Sequence, residues 1–193
     1  MESGFVKVYE NSLSDDLCEK FINFFDSSKT SRYDEEWRRC SALPFPDHNS
    51  NELYEDMKNA IKISYNKYRN DITYDGGAGS TYNINLIEKP SIFKYVNNPE
   101  KAEQFSCHAD CWNTESCTRQ ISIIIYLNDV EEGGSTYFPF YDIHVKPKKG
   151  SLLIFPASFA FSHKGCEVIK GEKYIIVTWL HFTGYTNYLT YNL

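Results

Sequence analysis

The sequence has 193 residues, 41% of them hydrophobic and 16% aromatic, with fifteen Tyr and thirteen Phe. That excludes a disordered chain and fits one strand-rich domain with a sizeable core. A formal net charge of −6 excludes general nucleic-acid binding, which needs clustered Lys and Arg, and is compatible with a basic peptide partner.

No apolar run approaches the length of a membrane span. The opening MESGFVKVYENSLSDDLCEKF has no basic segment followed by an apolar one, and the ending TNYLTYNL carries no retention signal. A cytoplasmic, monomeric chain with no membrane partner is expected. Cys18, Cys40, Cys107, Cys111, Cys117 and Cys166 are then expected as reduced thiols. Cys107, Cys111 and Cys117 cluster but lack C-x-x-C spacing, which disfavours a structural zinc.

Along the chain, FVKVY at 5–9 alternates like a short strand. Ser14 is an N-cap candidate with Asp15 and Asp16 behind it. Leu17, Phe21, Phe24 and Phe25 follow at helical spacing, predicting a helix over 15–28. Residues 29–50, KTSRYDEEWRRCSALPFPDHNS, are polar and charged, and predict a mobile flap with one short strand near RRCSAL. Asn51 opens a second helix to about residue 69, with Leu53, Met57, Ile61 and Tyr65 on one stripe. DGGAGS at 75–80 reads as a loop.

Beyond residue 82 the period changes to two. Strands are predicted in TYNINLIE, SIFKYV, FSCHADC, RQISIIIYLND, STYFPF, IHVKPKKGSLLIF, SHKGCEVIK and EKYIIVTWLHF, separated by NNPE, EEGG, KPKKG and IKGE. Helices first and short strands after predict an α+β fold in which a helical layer covers a β-sandwich or jelly roll.

The chemistry centres on FSCHADCW, residues 105–112. In an extended strand His108 and Asp110 project from one face and Ala109 from the other. One more imidazole would complete a 2-His-1-carboxylate face, the donor set that suits non-haem Fe(II) and leaves positions open; zinc with a water is the competitor. Among five histidines, His48 lies in the polar flap region, His144 alternates with Ile143 and Val145, and His181 follows TWL as a packed strand-end residue. His163 follows LLIFPASFAFS and stands out as the third ligand. Lys173 sits on an otherwise apolar strand, EKYIIVTW. Two readings are open for it: an ammonium kept in water at the strand's entrance beside Glu172, or the partner of a buried carboxylate.

His108-x-Asp110, His163 and Lys173, in order, with YLNDVEEGG and KPKKG between them, resemble the Fe(II)/2-oxoglutarate dioxygenases, and within them the prolyl 4-hydroxylase branch. The resemblance covers about residues 90–182. It implies a single domain over 1–193, with 1–81 as helical support and flap and 82–182 as a double-stranded β-helix (jelly roll) core, the N-terminal helices packing on its major sheet. It implies Fe(II) held by His108, Asp110 and His163, and 2-oxoglutarate with its far carboxylate on Lys173 and on the Tyr126 hydroxyl. Tyr95 of FKYV is implied in the same pocket, and Thr178 and Trp179 near it. Arg119 of CTRQ stands where related prolyl hydroxylases carry an arginine near the peptide; a surface arginine at a strand end is the other reading. RRC at 38–40 resembles the strand before the family's mobile substrate-covering loop, so Trp37 and Arg39 are substrate-contact candidates.

The implied activity is O2-dependent hydroxylation of proline in a peptide or protein to 4-hydroxyproline, releasing succinate and CO2, with ascorbate as a further cofactor. Its rivals are hydroxylation of another side chain or a small molecule, and a non-catalytic metal-binding jelly-roll module. Phe105 stands where relatives often have tyrosine, which removes one hydroxyl near the metal. Without a secretory leader or an added peptide-binding domain, collagen-type work in a secretory compartment is not expected.

Overall fold

The computed structural model describes residues 4–45, 52–72, 84–182 and, for the backbone only, 190–192. His48, Asn51, the 75–80 loop and the start of the strand expected from residue 81 lie outside the described residues.

A short strand β1 (Lys7–Tyr9) leads to helix α1 (Asp15–Asp26). The Ser14 side chain caps α1 by accepting from the Leu17 amide at 3.2 Å, and Asp15 and Asp16 fill the first turn. Cys18, Phe21 and Phe25, at helical spacing, form its buried face. Strands β2 (Ser31–Glu35) and β3 (Arg38–Pro44) precede the second helix, α2 (Glu52–Asp71). On α2, Met57, Ile61 and Tyr65 are buried together with Tyr54, Ala60, Ser64 and Tyr68, while Leu53 packs at the edge. No helix among the described residues is long and apolar enough to cross a membrane.

The strands that follow are β4 (Ile84–Glu88), β5 (Ser91–Val96), β6 (Phe105–His108), β7 (Arg119–Tyr126), β8 (Glu132–Gly133), β9 (Thr136–Phe138), β10 (Ile143–Val145) and β11 (Leu152–Pro156). After a single 3-10 turn at Phe159–Phe161 come β12 (His163–Gly165), β13 (Val168–Lys170), β14 (Glu172–Phe182) and β15 (Thr190–Asn192). A broad sheet runs β1-β11-β7-β14-β5-β3, and a smaller one runs β6-β12-β9-β10. They join where Arg38 of β3 pairs with Phe105 of β6. Beside the far end of β14 lie β4 and β15, and β8 pairs with β13 separately. The pairings are antiparallel, and the whole is a double-stranded β-helix with two helices laid on the broad sheet.

Side-chain alternation on β7 separates two cores. Ile121, Ile123 and Ile125 pack outward with Phe21, Met57 and Ile61 of the helices. Ile124 and Tyr126 pack inward with Tyr95, Phe138, Leu153 and Phe155. On β14, Tyr174, Ile176 and Leu180 join the helical core and Ile175 the inner one.

Three sequence expectations change. In its described part, the flap expected over 29–50 is a β-hairpin whose second strand is built into the broad sheet: Ser41 to Pro44 pair with β5. Charged residues on its outer face hid the buried alternation of Cys40 and Ala42. The long segments at 143–155 and 162–170 each divide into two strands. Gly150, at φ +73°, makes the first break; a Cβ there would stand 2.4 Å from the Leu13 carbonyl oxygen.

Phe21 is fully buried between α1 and the sheet and packs on Phe45 at 5.8 Å between ring centres. Phe21→Ala is expected to lower unfolding free energy by about 3–5 kcal/mol in urea denaturation, as an uncollapsed core cavity does.

Candidate active site

His108 is the last residue of β6, and Asp110 lies beyond the strand on a bend. Alternation along a strand is therefore not what aims the carboxylate. Ser122, on the inward face of β7, donates to Asp110 Oδ2 at 2.5 Å and holds it. His163 opens β12 directly opposite His108 in the β6–β12 register, which brings together two residues far apart in sequence. His108 Nε2 lies 3.5 Å from Asp110 Oδ1, and His163 Nε2 lies 3.8 Å from Oδ2. One ligand atom from each of the three residues fits within a 4.8 Å span.

Both imidazoles are oriented from behind. His108 Nδ1 is 2.7 Å from the Ser106 carbonyl and His163 Nδ1 is 3.2 Å from that of Phe161. Carbonyls only accept, so each Nδ1 donates to its carbonyl and Nε2 is the ring atom turned to the carboxylate. Burial pushes His163 down to about 4, against the pull of Asp110, so it is neutral near pH 7. Burial alone would raise the Asp110 carboxyl; His163, His108 and the Ser122 hydroxyl outweigh it and hold the group well below the usual carboxylate range. A buried carboxylate beside two imidazole Nε2 atoms is a fitting donor set for a divalent transition metal, with room left for further ligands. Phe105 stacks on the His108 ring at 3.7 Å between centres, where a tyrosine was the family expectation.

The cluster lines a cavity of about 430 Å³. Lys173, Ile175, Val177 and Trp179, alternate residues of β14, face into it. Lys173 is 2% exposed, and its Nζ donates to the Gly134 carbonyl at 2.7 Å. No carboxylate pairs with it among the described residues, and burial pushes its ammonium down to about 8. An unpaired ammonium in a cavity wall fits a ligand carboxylate. Tyr95 is the β5 residue opposite Lys173 and lines the same cavity. The Tyr126 hydroxyl is engaged at 2.8 Å with Thr136 Oγ1, and Thr136 rather than Tyr126 lines the cavity. Thr178 turns to the opposite face of β14, where its hydroxyl donates to the Glu88 carbonyl at 2.6 Å; it does not line the cavity.

Trp179 does line the cavity, and the Arg119 guanidinium lies 3.4 Å from its ring centre. Arg119 is not a free surface arginine. Its Nε and Nη2 donate to the two Glu88 oxygens at 2.8 and 2.6 Å, and Nη1 reaches the Asp110 carbonyl at 3.4 Å. His181 is packed behind, 3.0 Å from Glu88 and 2.9 Å from Thr118. Trp37 stands at the rim, 52% exposed, against Phe105 at 5.5 Å. Arg39 faces away, 3.4 Å from Asp34, and its neighbour Arg38 lines the cavity instead. Arg38, Glu88, Ser122 and Thr136 were not among the candidates read from the sequence. Extending the inward parity of Tyr126 back along β7 would have found Ser122; the other three needed the fold.

Residues 91–181 match the model of the 2OG-Fe(II) oxygenase superfamily. Probable prolyl 4-hydroxylase 9 of Arabidopsis thaliana is 34% identical over 120 residues, which cover 48% of this chain and 40% of the relative. Among solved structures, a viral collagen prolyl hydroxylase from Paramecium Bursaria Chlorella virus-1 superposes with a TM-score of 0.68 at 20% identity, over 93% of this chain and 97% of that one. A Trichoplax adhaerens prolyl hydroxylase, in complex with a hypoxia inducible factor peptide fragment, superposes with a TM-score of 0.69 at 16% identity, over 93% and 84%. At those identities the superpositions bear on the fold. The stretch that matches this family model, residues 91–181, carries the whole ordered cluster, and over it the chain is similar to the 2OG-Fe(II) oxygenase superfamily.

Proposed function

We propose that this chain hydroxylates proline in a peptide or protein to 4-hydroxyproline, using 2-oxoglutarate and O2 and releasing succinate and CO2. The observation that carries the reading is one cavity walled by both the His108–Asp110–His163 cluster and the unpaired ammonium of Lys173. His108, Asp110 and His163 would hold Fe(II). Lys173 would bind the far carboxylate of 2-oxoglutarate, with Tyr95 and Thr136 walling its pocket. When bound, iron and cosubstrate supply the oxidising power for an unactivated C–H bond. Ser122 fixes the carboxylate, the Ser106 and Phe161 carbonyls fix the imidazoles, and Phe138 and Phe155 of the inner core pack on the His163 ring. Proline as target draws support from the names of the relatives, and a peptide substrate from the peptide bound to the Trichoplax protein. Trp37 and Trp112, 52% and 73% exposed at the cavity, offer apolar surface to such a chain. Ascorbate belongs to the same proposal as a further cofactor.

Incubation of a proline-peptide panel with the protein, Fe(II), ascorbate, 2-oxoglutarate and air should add one oxygen localised to proline by mass spectrometry. Asp110→Ala should abolish it. Succinate without any modified peptide would redirect the reading to another substrate, and neither product would leave a binding module.

Lys173 gives a second test. Its folded pKa of about 8 lies below the ordinary lysine value of 10.5, so the cost of burying the ammonium is fully present below about pH 8 and vanishes above about 10.5. Without cosubstrate, Lys173→Met should therefore be more stable than wild type near pH 7, by about 1–3 kcal/mol in urea denaturation. The difference should shrink as pH rises through that window. The same variant should raise the KM for 2-oxoglutarate at least roughly tenfold.

A further inference from the structure

Arg38 stands on the cavity wall in an aromatic cage. Its guanidinium carbon lies 4.2 Å from the Tyr33 ring centre, 4.6 Å from that of Phe93 and 4.8 Å from that of Phe105. Rings hold the planar fork by its faces and leave its N–H edges to donate. Nε is buried with no hydrogen-bond partner. The Cys40 thiol, a weak acceptor, and Tyr95 are close enough to feel its charge.

No carboxylate pairs with Arg38 among the described residues, because the nearby acids are engaged elsewhere. Asp34 holds Arg39 and Lys101. Glu103 holds Arg32 at 2.6 Å and the Val96 amide at 2.8 Å. Glu88 holds Arg119 and His181. Two cavity-lining cations, Lys173 and Arg38, thus have no carboxylate within ion-pair reach among the described residues. A dicarboxylate cosubstrate chelated at a metal through one end needs a single cation for the other, and Lys173 is the more buried of the two. Arg38 is left over. It is also one ring away from the metal cluster, since Phe105 both walls its cage and stacks on His108.

We propose that Arg38 is a specificity-determining residue that receives a carboxylate of the substrate, the side chain of an Asp or Glu flanking the target proline. The proposal rests on the reading of the cavity as a peptidyl-proline hydroxylase site. It makes the local preference acidic although the chain's net charge of −6 favours basic partners at long range.

The test uses peptide pairs with one proline, differing only as Glu against Gln or Asp against Asn at adjoining positions. Wild type should prefer the acidic member by roughly ten- to a hundredfold in kcat/KM, the worth of a charge-assisted hydrogen bond. Arg38→Gln should bring that ratio near one, Arg38→Lys should keep part of it, and Arg38→Glu should shift preference to a Lys-flanked proline. Thermal melts confirm that each variant is folded. Proline hydroxylation with no acidic preference overturns the inference and leaves the proposed function standing. So does an Arg38→Gln protein that keeps the preference while its KM for 2-oxoglutarate rises, because the arginine then serves the cosubstrate. Succinate formation with no proline modified in any peptide overturns the functional reading itself, and this inference with it.

Discussion

Strands β7 and β14 are hydrogen-bonded neighbours, and each turns alternate side chains to opposite faces of the broad sheet. One face takes the isoleucines into contact with α1 and α2, and the other takes Ser122, Lys173 and Trp179 to the inside. A slip of one residue in either strand would bury polar groups against the helices and empty the cavity wall. The apolar packing under the helices therefore sets the position of the polar groups above it. The same alternation on β3 decides that Arg38, rather than Arg39, reaches the cavity.

Inside that frame the chain carries charges at a cost. Asp110 and Lys173 are 7% and 2% exposed, and neither has an ion partner of ordinary kind. Asp110 accepts from Ser122 and faces two imidazole nitrogens, and Lys173 donates to a single carbonyl. Both arrangements are incomplete without ligands, a divalent metal at one and an anion at the other. Stability is thus set aside where binding needs it, and the helical core supplies the compensation.

The arginines of the cavity show how context separates equal residue types. Arg119 is locked to Glu88 and laid on Trp179, which makes it a strut between the β4–β14 region and the Asp110 carbonyl. Arg38 has three ring faces and, among the described residues, no acid. The first is a fixed element of the wall; the second retains donors for something that enters.

By itself the sequence determined both helices, the period-two region, the metal-ligating candidates and the presence of a lysine on an apolar strand, because spacing, capping and an isolated charge are local signals; that the lysine is buried came from the fold. Ser14 and the Phe21 stripe could both be read without knowing a single long-range contact. The opposition of His163 to His108 was legible only as a family resemblance, since antiparallel pairing across a long connection leaves no local trace. That Asp110 is aimed by Ser122 rather than by strand alternation, that Thr136 stands in front of Tyr126, that Thr178 faces Glu88 and that Arg38 displaces Arg39 were decided by the tertiary structure. Each depends on strand register and on where β6 ends. Those are set by the packing of two cores against each other, which no single stretch of the chain contains.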